Sequence, residues 1–344
     1  MASAVFSQPA MPIAASQSEQ SQQPALNGEQ QNAIIIDTQH DDMIHDSQFD
    51  YYGVKLATCS SDRTIKIFDV VGDAYTHSAT IQGHEGPVWE VSWAHPKFGV
   101  VLASCSFDGT VMIHREMRPR VWTLLHTHKF HESSVNSVKF APHEFGLVLA
   151  AASSDGKVSV LTHQEDDTWS VHHFTDNPLG VNSVSWGPYN CLGSASSTDD
   201  QQTAAPSMRL VTGGCDNRIK FWRFHPGNSC WKQDTETLDN ELRHEDWVRD
   251  VAWAPSCMPV NIVASCSEDK TVIIWMQTEA EGVWQPTLLN TFDAPVWRVS
   301  WSVTGNILAV SSGDNTVTLW KAALDGTWSQ VSTVDSAPGT TVGM

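Results

Sequence analysis

The sequence predicts an all-β fold, a six-bladed β-propeller, from three observations. A motif of one Asp followed by a run of mainly β-branched and aromatic residues occurs six times, at Asp62, Asp108, Asp155, Asp216, Asp269 and Asp314. These aspartates lie 46, 47, 61, 53 and 45 residues apart, and a period in the forties is typical of propeller blades with four short strands each. Each copy also has alternating apolar residues before the Asp and an aromatic residue after the run.

The repeats predict one domain between two tails. Residues 1–32 are rich in Gln, Ser, Ala and Pro and poor in large apolar side chains, so we expect a disordered N-terminal tail. The propeller is expected over residues 33–335, followed by a flexible tail at 336–344. A polar insertion at about 190–207 explains the long fourth step, and either a tolerated surface loop or a regulatory, phosphorylated loop fits its composition.

Charge and hydropathy exclude some functions. Of the formal charge of −19, residues 1–50 contribute seven acids and no Lys or Arg, which leaves 20 basic and 32 acidic residues, or −12, for the remainder. Such a surface repels phosphates, so direct nucleic-acid binding is not expected. No apolar run approaches 18 residues, so we expect no transmembrane segment and only indirect membrane contact. The odd count of seven Cys without framework spacing indicates a reducing compartment.

Each repeat is predicted to form four strands, a to d. Strand a follows the pattern His-x3-Val-x2-Val-x-Trp/Phe, whose alternating apolar residues face a neighbouring blade. Strand b is the run of small residues before the Asp, and the Asp and its follower make the turn into strand c, where a positive φ is needed. Strand d carries an aromatic residue that we expect to cover the seam between blades. These aromatic residues are Tyr75, Trp122, Trp169, Trp231, Trp284 and Trp328.

Histidines recur 22 to 25 residues before four of the motif aspartates. The pairs are His40 with Asp62, His84 with Asp108, His131 with Asp155, and His244 with Asp269. A single pair would fit a catalytic dyad, but four copies favour a structural hydrogen bond repeated in each blade. The fourth repeat has Asn177 where the histidine is expected, and the sixth has Phe292.

The fifteen histidines also raise metal binding as a hypothesis. The closest clusters, in 126–131 and 172–173, lack Cys partners at zinc spacing. The chain has no Gly-rich phosphate loop, no Gly-x-Ser-x-Gly elbow and no Cys-x-x-Cys pair. The sequence therefore predicts no catalytic residue, no metal site, no cofactor and no enzyme activity.

The number of strands bears on how the ring closes. Propellers usually close by letting one chain end complete a blade begun by the other. Here residues 321–334 give the last repeat its own strand d, so the run Ile34, Ile35 and Ile36 is surplus. Either the ring closes in an unusual way, or it is open and a partner's strands pair with this run and bury the faces of the first and last blades.

The fifth repeat resembles the WD-repeat family. His244, Ser265, Asp269 and Trp275 match the hydrogen-bonded quartet of that family, in which the histidine, a strand b hydroxyl, the turn Asp and a strand c Trp form a chain. The resemblance implies that the His and Asp of the other repeats form the same bonds. Repeats one to three replace the Trp, so their blades are expected to depend more on packing.

Residues 40–68 and 83–89 resemble a narrower group, the WD-repeat subunits shared by the coat protein complex II (COPII) vesicle coat and the outer ring of the nuclear pore. The likeness extends over about 33–335. It implies an open six-bladed propeller that a partner completes in trans with a seventh blade. It also implies a non-enzymatic scaffold for transport from the endoplasmic reticulum (ER) to the Golgi and for the pore.

The same resemblance implies partners and places. The implied partners are the larger COPII outer-coat subunit and an α-solenoid nucleoporin, each donating a blade, and a nutrient-signalling coat complex at the vacuole or lysosome. The implied places are the cytoplasmic face of the ER membrane, COPII vesicles and the nuclear pore. Two alternatives stay open: a closed propeller that recognises a peptide through Arg, Lys or aromatic residues at one mouth, and a related propeller specific to the pore.

Overall fold

The computed structural model describes residues 5–6, 34–194, 206–234, 242–255, 260–280, 282–323 and 326–335. These residues form 26 strands, three short 3₁₀ helices and six four-stranded antiparallel sheets, which confirms the all-β, six-bladed prediction. No helix within the described ranges is long and apolar enough to span a membrane. The predicted tails, apart from residues 5–6, and the 195–205 part of the insertion lie outside the described residues.

The first three blades follow one another along the chain. Blade 1 consists of β3 (Ile44–Phe49), β4 (Lys55–Ser60), β5 (Ile65–Val71) and β6 (Ala74–Ile81). Blade 2 consists of β7 (Val88–Trp93), β8 (Val101–Ser106), β9 (Val111–Arg118) and β10 (Val121–His128). Blade 3 consists of β11 (Val135–Phe140), β12 (Val148–Ser153), β13 (Lys157–His163) and β14 (Trp169–Thr175).

The last three blades repeat this order. Blade 4 consists of β15 (Val181–Trp186), β16 (Arg209–Gly214), β17 (Ile219–His225) and β18 (Cys230–Gln233). Blade 5 consists of β19 (Val248–Trp253), β20 (Asn261–Ser267), β21 (Thr271–Gln277) and β22 (Gln285–Thr291). Blade 6 consists of β23 (Val296–Trp301), β24 (Ile307–Ser312), β25 (Thr316–Ala322) and β26 (Trp328–Asp335). The 3₁₀ helices span Pro96–Phe98, His143–Phe145 and Pro226–Asn228.

The turn from strand b to strand c has the same backbone shape in all six blades. The residue after each motif Asp has a positive φ, between 64° and 81°. Gly and Asn adopt this region at low energetic cost and hold four of the positions, whereas Arg63 and Lys270 hold the other two. At Gly156 a Cβ atom would lie only 2.0 Å from the Asn177 carbonyl oxygen, so the turn of blade 3 needs glycine for space as well.

Consecutive blades pack through their strands a and b. Strand a of each later blade contacts strands a and b of the blade before it, at five interfaces. Small residues make strand b fully buried in blades 2, 3 and 4. Trp284 of blade 5 is buried and stacks on Phe221 of blade 4 at 3.9 Å, so this strand d aromatic residue covers a seam as predicted.

Two short strands precede the blades. β1 (Val5–Phe6) pairs antiparallel with β2 (Ile34–Ile35), with Val5 opposite Ile35 and Phe6 opposite Ile34. Val5 and Phe6 lie within residues 1–32, for which the sequence predicts a disordered tail. The pair belongs to none of the six blade sheets.

Candidate partner-binding gap and axial network

Four blades hold a hydrogen bond between a buried histidine and the turn aspartate. In each pair the imidazole Nδ1 faces the carboxylate Oδ2, and the backbone amide after the histidine donates to the same oxygen. The distances from Nδ1 to Oδ2 are 2.7 Å for His40 and Asp62, 3.1 Å for His84 and Asp108, 3.0 Å for His131 and Asp155, and 3.1 Å for His244 and Asp269. These bonds tie the loop before strand a to the turn after strand b.

Blade 5 contains the longest form of this chain of hydrogen bonds. His244 Nε2 lies 2.8 Å from Ser265 Oγ, and Trp275 Nε1 donates to the same hydroxyl at 2.9 Å. Thr271 Oγ1 donates to Asp269 Oδ1 at 2.6 Å. Because all these groups are satisfied inside the blade, the arrangement holds the turn in place and offers no free nucleophile.

Blade 3 takes its hydroxyl from a different strand. Ala151 stands where blades 1, 2, 4 and 5 have a strand b hydroxyl, and Ser159 of strand c replaces it. Ser159 Oγ lies 2.7 Å from His131 Nε2, 2.9 Å from His173 Nδ1 and 3.2 Å from His128 Nε2. In the described part of the chain, no three or more His, Cys, Asp or Glu side chains are arranged to hold a metal ion.

Asn177 stands four residues before strand a of blade 4, as the histidines do in blades 1, 2, 3 and 5, but its side chain bonds Asp176 and the amides of Leu179 and Gly180. Asp176 makes the hydrogen bonds that the histidine makes elsewhere: its Oδ2 accepts from Thr212 Oγ1 at 2.5 Å and from Trp222 Nε1 at 3.2 Å. Its Oδ1 pairs with Lys220 Nζ at 2.7 Å, and the same ammonium lies 2.8 Å from Asp216 Oδ2. A carboxylate can replace the imidazole here because a lysine from strand c compensates its charge.

The turn aspartates of blades 1, 2 and 5 are ionised at neutral pH. Burial would raise the pKa of Asp62, but the hydrogen bonds from Thr64 and His40 outweigh it, and the pKa falls to about 2. The pKa values of Asp108 and Asp269 fall further for the same kind of reason. Burial lowers the pKa of His40, so its pair is a carboxylate that accepts from a neutral imidazole.

Asp314 of blade 6 has no histidine partner in the described residues. It accepts from the hydroxyls of Ser312 and Thr316 and from the Thr316 amide. Phe292, in the histidine position, packs instead against the edge of Trp320, with ring centroids 6.3 Å apart. The turn of blade 6 is therefore stabilised locally and by packing.

Blade 6 buries only one of its faces. In β24, Leu308 and Val310 are buried and belong to the core shared with blade 5. Ile307 and Ala309, which alternate with them and point to the other face of the sheet, are partly exposed. Leu319 lies opposite Ala309 in the sheet and is also partly exposed. No described blade of this chain covers this face, and no interface like the five others joins blade 6 to blade 1. We call the space between these two blades the gap.

Blade 1 presents its own apolar face to the gap, and the Ile34–Ile36 segment lies on it. Ile36 is 7% exposed and forms a cluster with Leu56, Phe68 and Val70, while Ile35 is 64% exposed. The opposite face of the same sheet packs against blade 2. The three predicted partner-binding residues therefore lie beside the gap.

Five hydrogen bonds link the innermost strands of successive blades, and we call them the axial relay. At each link a side chain in strand a, at the residue after a β-bulge, accepts from a backbone amide of strand a in the next blade. The links are Asp46 with Val91 (3.2 Å), Glu90 with Val138 (2.7 Å), Ser137 with Val184 (3.3 Å), Ser183 with Val251 (3.2 Å) and Asp250 with Val299 (3.0 Å).

Arg298 stands at the corresponding position in blade 6 and ends the axial relay. A guanidinium has donors but no acceptor, so it cannot take a hydrogen bond from another amide. Its Nη1 donates to Glu90 Oε1 at 2.8 Å and its Nη2 to the Trp89 carbonyl at 3.4 Å. The side chain thus reaches across the axis to blade 2.

Three carboxylates and two cations meet near the axis. Burial would raise the pKa of Glu90, but Lys139 and Arg298 outweigh it, and the pKa falls to about 2. Burial raises the pKa of Asp46 and of Asp250. Burial would lower the pKa of Arg298, but the three carboxylates hold it well above its usual value.

Comparison with known proteins identifies the family. The model described as "WD domain, G-beta repeat" matches residues 33–69, 75–115, 168–223, 237–276 and 286–321, and that of the "Anaphase-promoting complex subunit 4 WD40 domain" matches 100–188. The chain is 49% identical to "Protein transport protein SEC13" of Yarrowia lipolytica, over 88% of this chain and 99% of that protein. It is 50% identical to "Protein SEC13 homolog" of Dictyostelium discoideum, over 88% and 98%. The chain belongs to the Sec13 family of WD-repeat proteins.

Another member of the Sec13 family, from Drosophila melanogaster, is 47% identical over 86% of this chain and 82% of its own length. A solved structure described as "Crystal Structure of Mitotic Checkpoint Complex" has a TM-score of 0.63 and 19% identity, over 85% of this chain and 78% of that one. This structural likeness supports the propeller fold alone.

The sequence reading of this Sec13-family chain missed the axial residues. These residues share one position of strand a, immediately before its second apolar residue or the equivalent of that residue. A polar side chain at this position interrupts an otherwise apolar strand, and the residues are Asp46, Glu90, Asp250 and Arg298. An alignment of that position across the six repeats contains five hydrogen-bond acceptors and one cation. This pattern could have been found without coordinates.

The closed-propeller alternative predicts a cluster of basic or aromatic residues at one mouth. Among the described residues, Arg249 lies 5.3 Å from the ring of Trp247 and 5.0 Å from that of Trp297, and Lys157 lies 5.2 Å from the ring of Phe130. Both indoles are nearly half exposed. A closed ring also requires an interface between blades 6 and 1, which the described residues do not form.

Proposed function

We propose that this chain is a non-enzymatic scaffold subunit of protein transport that accepts a blade from a larger partner in the gap. The observation that carries the proposal is the partly exposed apolar face of blade 6, on which no described blade packs. Across the gap from it, the face of blade 1 is covered by the segment that contains Ile36 and by blade 1's own side chains. A seventh blade would pack against the blade 6 face and against this segment, and would remove the blade 6 face from water. An interface of this kind is large and apolar, so we expect the complex to be nearly obligate.

Membership of the Sec13 family, whose members are named protein transport proteins, supports this role. We assign the blade to the larger COPII outer-coat subunit in ER-to-Golgi transport and to an α-solenoid nucleoporin in the outer ring of the nuclear pore. A nutrient-signalling coat complex at the vacuole or lysosome is a third setting. The subunit would act at the cytoplasmic face of the ER membrane, on vesicles and at the pore, with indirect membrane contact.

We also propose that Ile34, Ile35 and Ile36 offer a strand edge to the partner. Ile36 anchors this segment on the face of blade 1 that lines the gap. Val5–Phe6 pairs with Ile34–Ile35 in the isolated chain, so a partner strand that uses this edge must displace it. Main-chain hydrogen bonds would then give affinity, and the apolar pockets on both sides would give specificity.

The test is co-expression of the full chain with the blade-forming segment of the larger COPII outer-coat subunit. We expect a stable complex that melts several degrees above the chain alone, because the segment binds only the folded state. Leu319→Asp on the uncovered face should weaken binding at least tenfold, because it places a charge in an apolar interface. Leu288→Asp, on the outer strand of blade 5, is the matched control. Equal melting temperatures with and without the segment would overturn the proposal.

A further inference from the structure

The axial relay has no hydrogen bond across the gap, from blade 6 to blade 1. In the five complete links, the donating amide belongs to the residue after the relay side chain of its own blade. The equivalent amide in blade 1 is that of Ser47, which follows Asp46. Blade 6 offers it only Arg298, which cannot accept. Within the described ranges, no side chain of blade 6 accepts a hydrogen bond from the Ser47 amide.

Asp46 also lacks a donor that the other axial carboxylates have. Ser137 Oγ donates to Glu90 Oε2 at 2.7 Å, and Ser183 Oγ donates to Asp250 Oδ1 at 2.6 Å. Asp46 accepts from the Val91 amide at 3.2 Å and from Gln48 Nε2 at 3.2 and 3.4 Å, which are long distances. No hydroxyl donates to it among the described residues.

The charges at the axis restrict what a partner can place there. The three carboxylates already outnumber Lys139 and Arg298, so a fourth carboxylate would add repulsion in a partly desolvated site. A cation would lie beside Arg298 and could not accept from the Ser47 amide. An apolar side chain would leave that amide unsatisfied, which is unfavourable away from water. A hydroxyl is neutral and can accept and donate at once.

We propose that the blade that fills the gap carries Ser or Thr at the relay position of its innermost strand. Its hydroxyl accepts from the Ser47 amide and donates to Asp46. Ser183 already does this between blades 4 and 5, where it accepts from the Val251 amide and donates to Asp250. This inference rests on the proposed function and adds to it the chemistry of the partner at one position.

The experiment compares Asp46→Asn and Asp46→Ala in the full chain, with the same COPII blade-forming segment as probe. The Asn side chain keeps an oxygen that accepts from a hydroxyl, so its Kd should stay within about threefold of the wild type. Ala removes the acceptor, and Kd should rise about tenfold. Asp250→Ala is the matched control, because it removes an axial carboxylate that does not face the gap. Melting curves of each variant alone give the fraction that is folded.

The second arm replaces each Ser and Thr of the segment's inner strand by Ala. One of these changes should raise Kd about tenfold in the wild-type chain and have no effect in the Asp46→Ala chain. Tighter binding by both Asp46 variants would indicate that the partner places a carboxylate at this position. A large loss of affinity with Asp46→Asn would indicate a partner cation. Unchanged affinity in both variants would indicate an apolar partner residue. Each of these results overturns the inference, whereas absence of wild-type binding contradicts the proposed function itself.

Discussion

At the residue scale, the repeated Asp is a structural anchor for its turn. The same carboxylate receives an imidazole N–H, a backbone amide and a hydroxyl in blades 1, 2 and 5. Hydrogen bonds to an ionised group are stronger than those between neutral groups. Each turn is therefore held by its own set of charge-assisted bonds, and the repetition of this set explains why His and Asp recur in pairs.

Asp62→Asn should lower the free energy of unfolding by about 1.5 kcal/mol at pH 7, because the bonds to a charged acceptor are lost. The pKa of Asp62 is about 2 in the folded chain and about 4 in an unfolded one. Its contribution is therefore complete above about pH 4 and is lost as the pH falls towards 2. Denaturant unfolding of the two proteins should converge over that window.

The control for this prediction is Asp314→Asn in blade 6, where the turn Asp has no histidine partner in the described residues. Its loss at pH 7 should be smaller, about 0.5 kcal/mol, because its bonds are local and exposed. Equal losses for the two variants would contradict a special role for the pair of His40 and Asp62.

At the scale of the element, the strands that line the gap differ from their equivalents elsewhere. β24 alternates between buried and partly exposed residues, whereas β8, β12 and β16 are buried throughout. β3 has no fully buried residue. β4 of blade 1 is buried except at Lys55, because the segment that contains Ile36 covers its gap side. No described residues cover β24 in this way, so its partial exposure follows from the missing neighbour.

Ile35→Pro should weaken binding of the blade-forming segment about tenfold, because proline removes a backbone donor from the proposed strand edge. Ile35→Ala is the matched control, since the Ile35 side chain is exposed and alanine keeps the amide. Its Kd should remain within about twofold of the wild type. Titration calorimetry on both variants measures the effect, and equal affinities would argue against strand pairing at this edge.

The sequence predicted the six blades and the aromatic seams because strand alternation and turn chemistry are local and repeat. Counting strands also predicted a surplus run at Ile34–Ile36, and the structure has a strand outside the blade sheets at Ile34–Ile35. The sequence reading placed Asn177 at the histidine position of blade 4 but missed that the neighbouring Asp176 makes the hydrogen bonds, because these bonds depend on Thr212, Trp222 and Lys220, which lie far away in the chain. The role of Arg298 depends on a contact with Glu90 across 208 residues, which local patterns do not contain.

At the scale of the whole molecule, the axial charges hold together a ring that is not continuous. Arg298 of blade 6 reaches Glu90 of blade 2, and Lys139 of blade 3 reaches the same carboxylate. Blades that are not neighbours are thereby linked through the axis. This link helps to fix the position of blade 6, although no described blade packs on the face of blade 6 that lines the gap.

Arg298→Met should lower the free energy of unfolding by about 3 kcal/mol at pH 7, because it leaves three axial carboxylates with Lys139 but without the arginine that also compensates their charge. Burial raises the pKa of Asp46 and Asp250, and loss of the arginine raises both further. These groups then take up protons as the pH falls, so the deficit of the variant should shrink between pH 7 and pH 5. Arg120→Met, at a largely exposed arginine, should change stability little at either pH. A deficit independent of pH would contradict this account.

The central claim is that the gap between blades 6 and 1 receives a partner's blade. Hydrogen exchange on the full chain, alone and with the COPII blade-forming segment, tests it most directly. The account predicts that binding slows exchange in Ile34–Phe49 and Ile307–Ala322, the segments that line the gap, while β12 and β16 change little. Slowed exchange at the opposite side of the ring, or no change in the gap segments of a complex that does form, would contradict it.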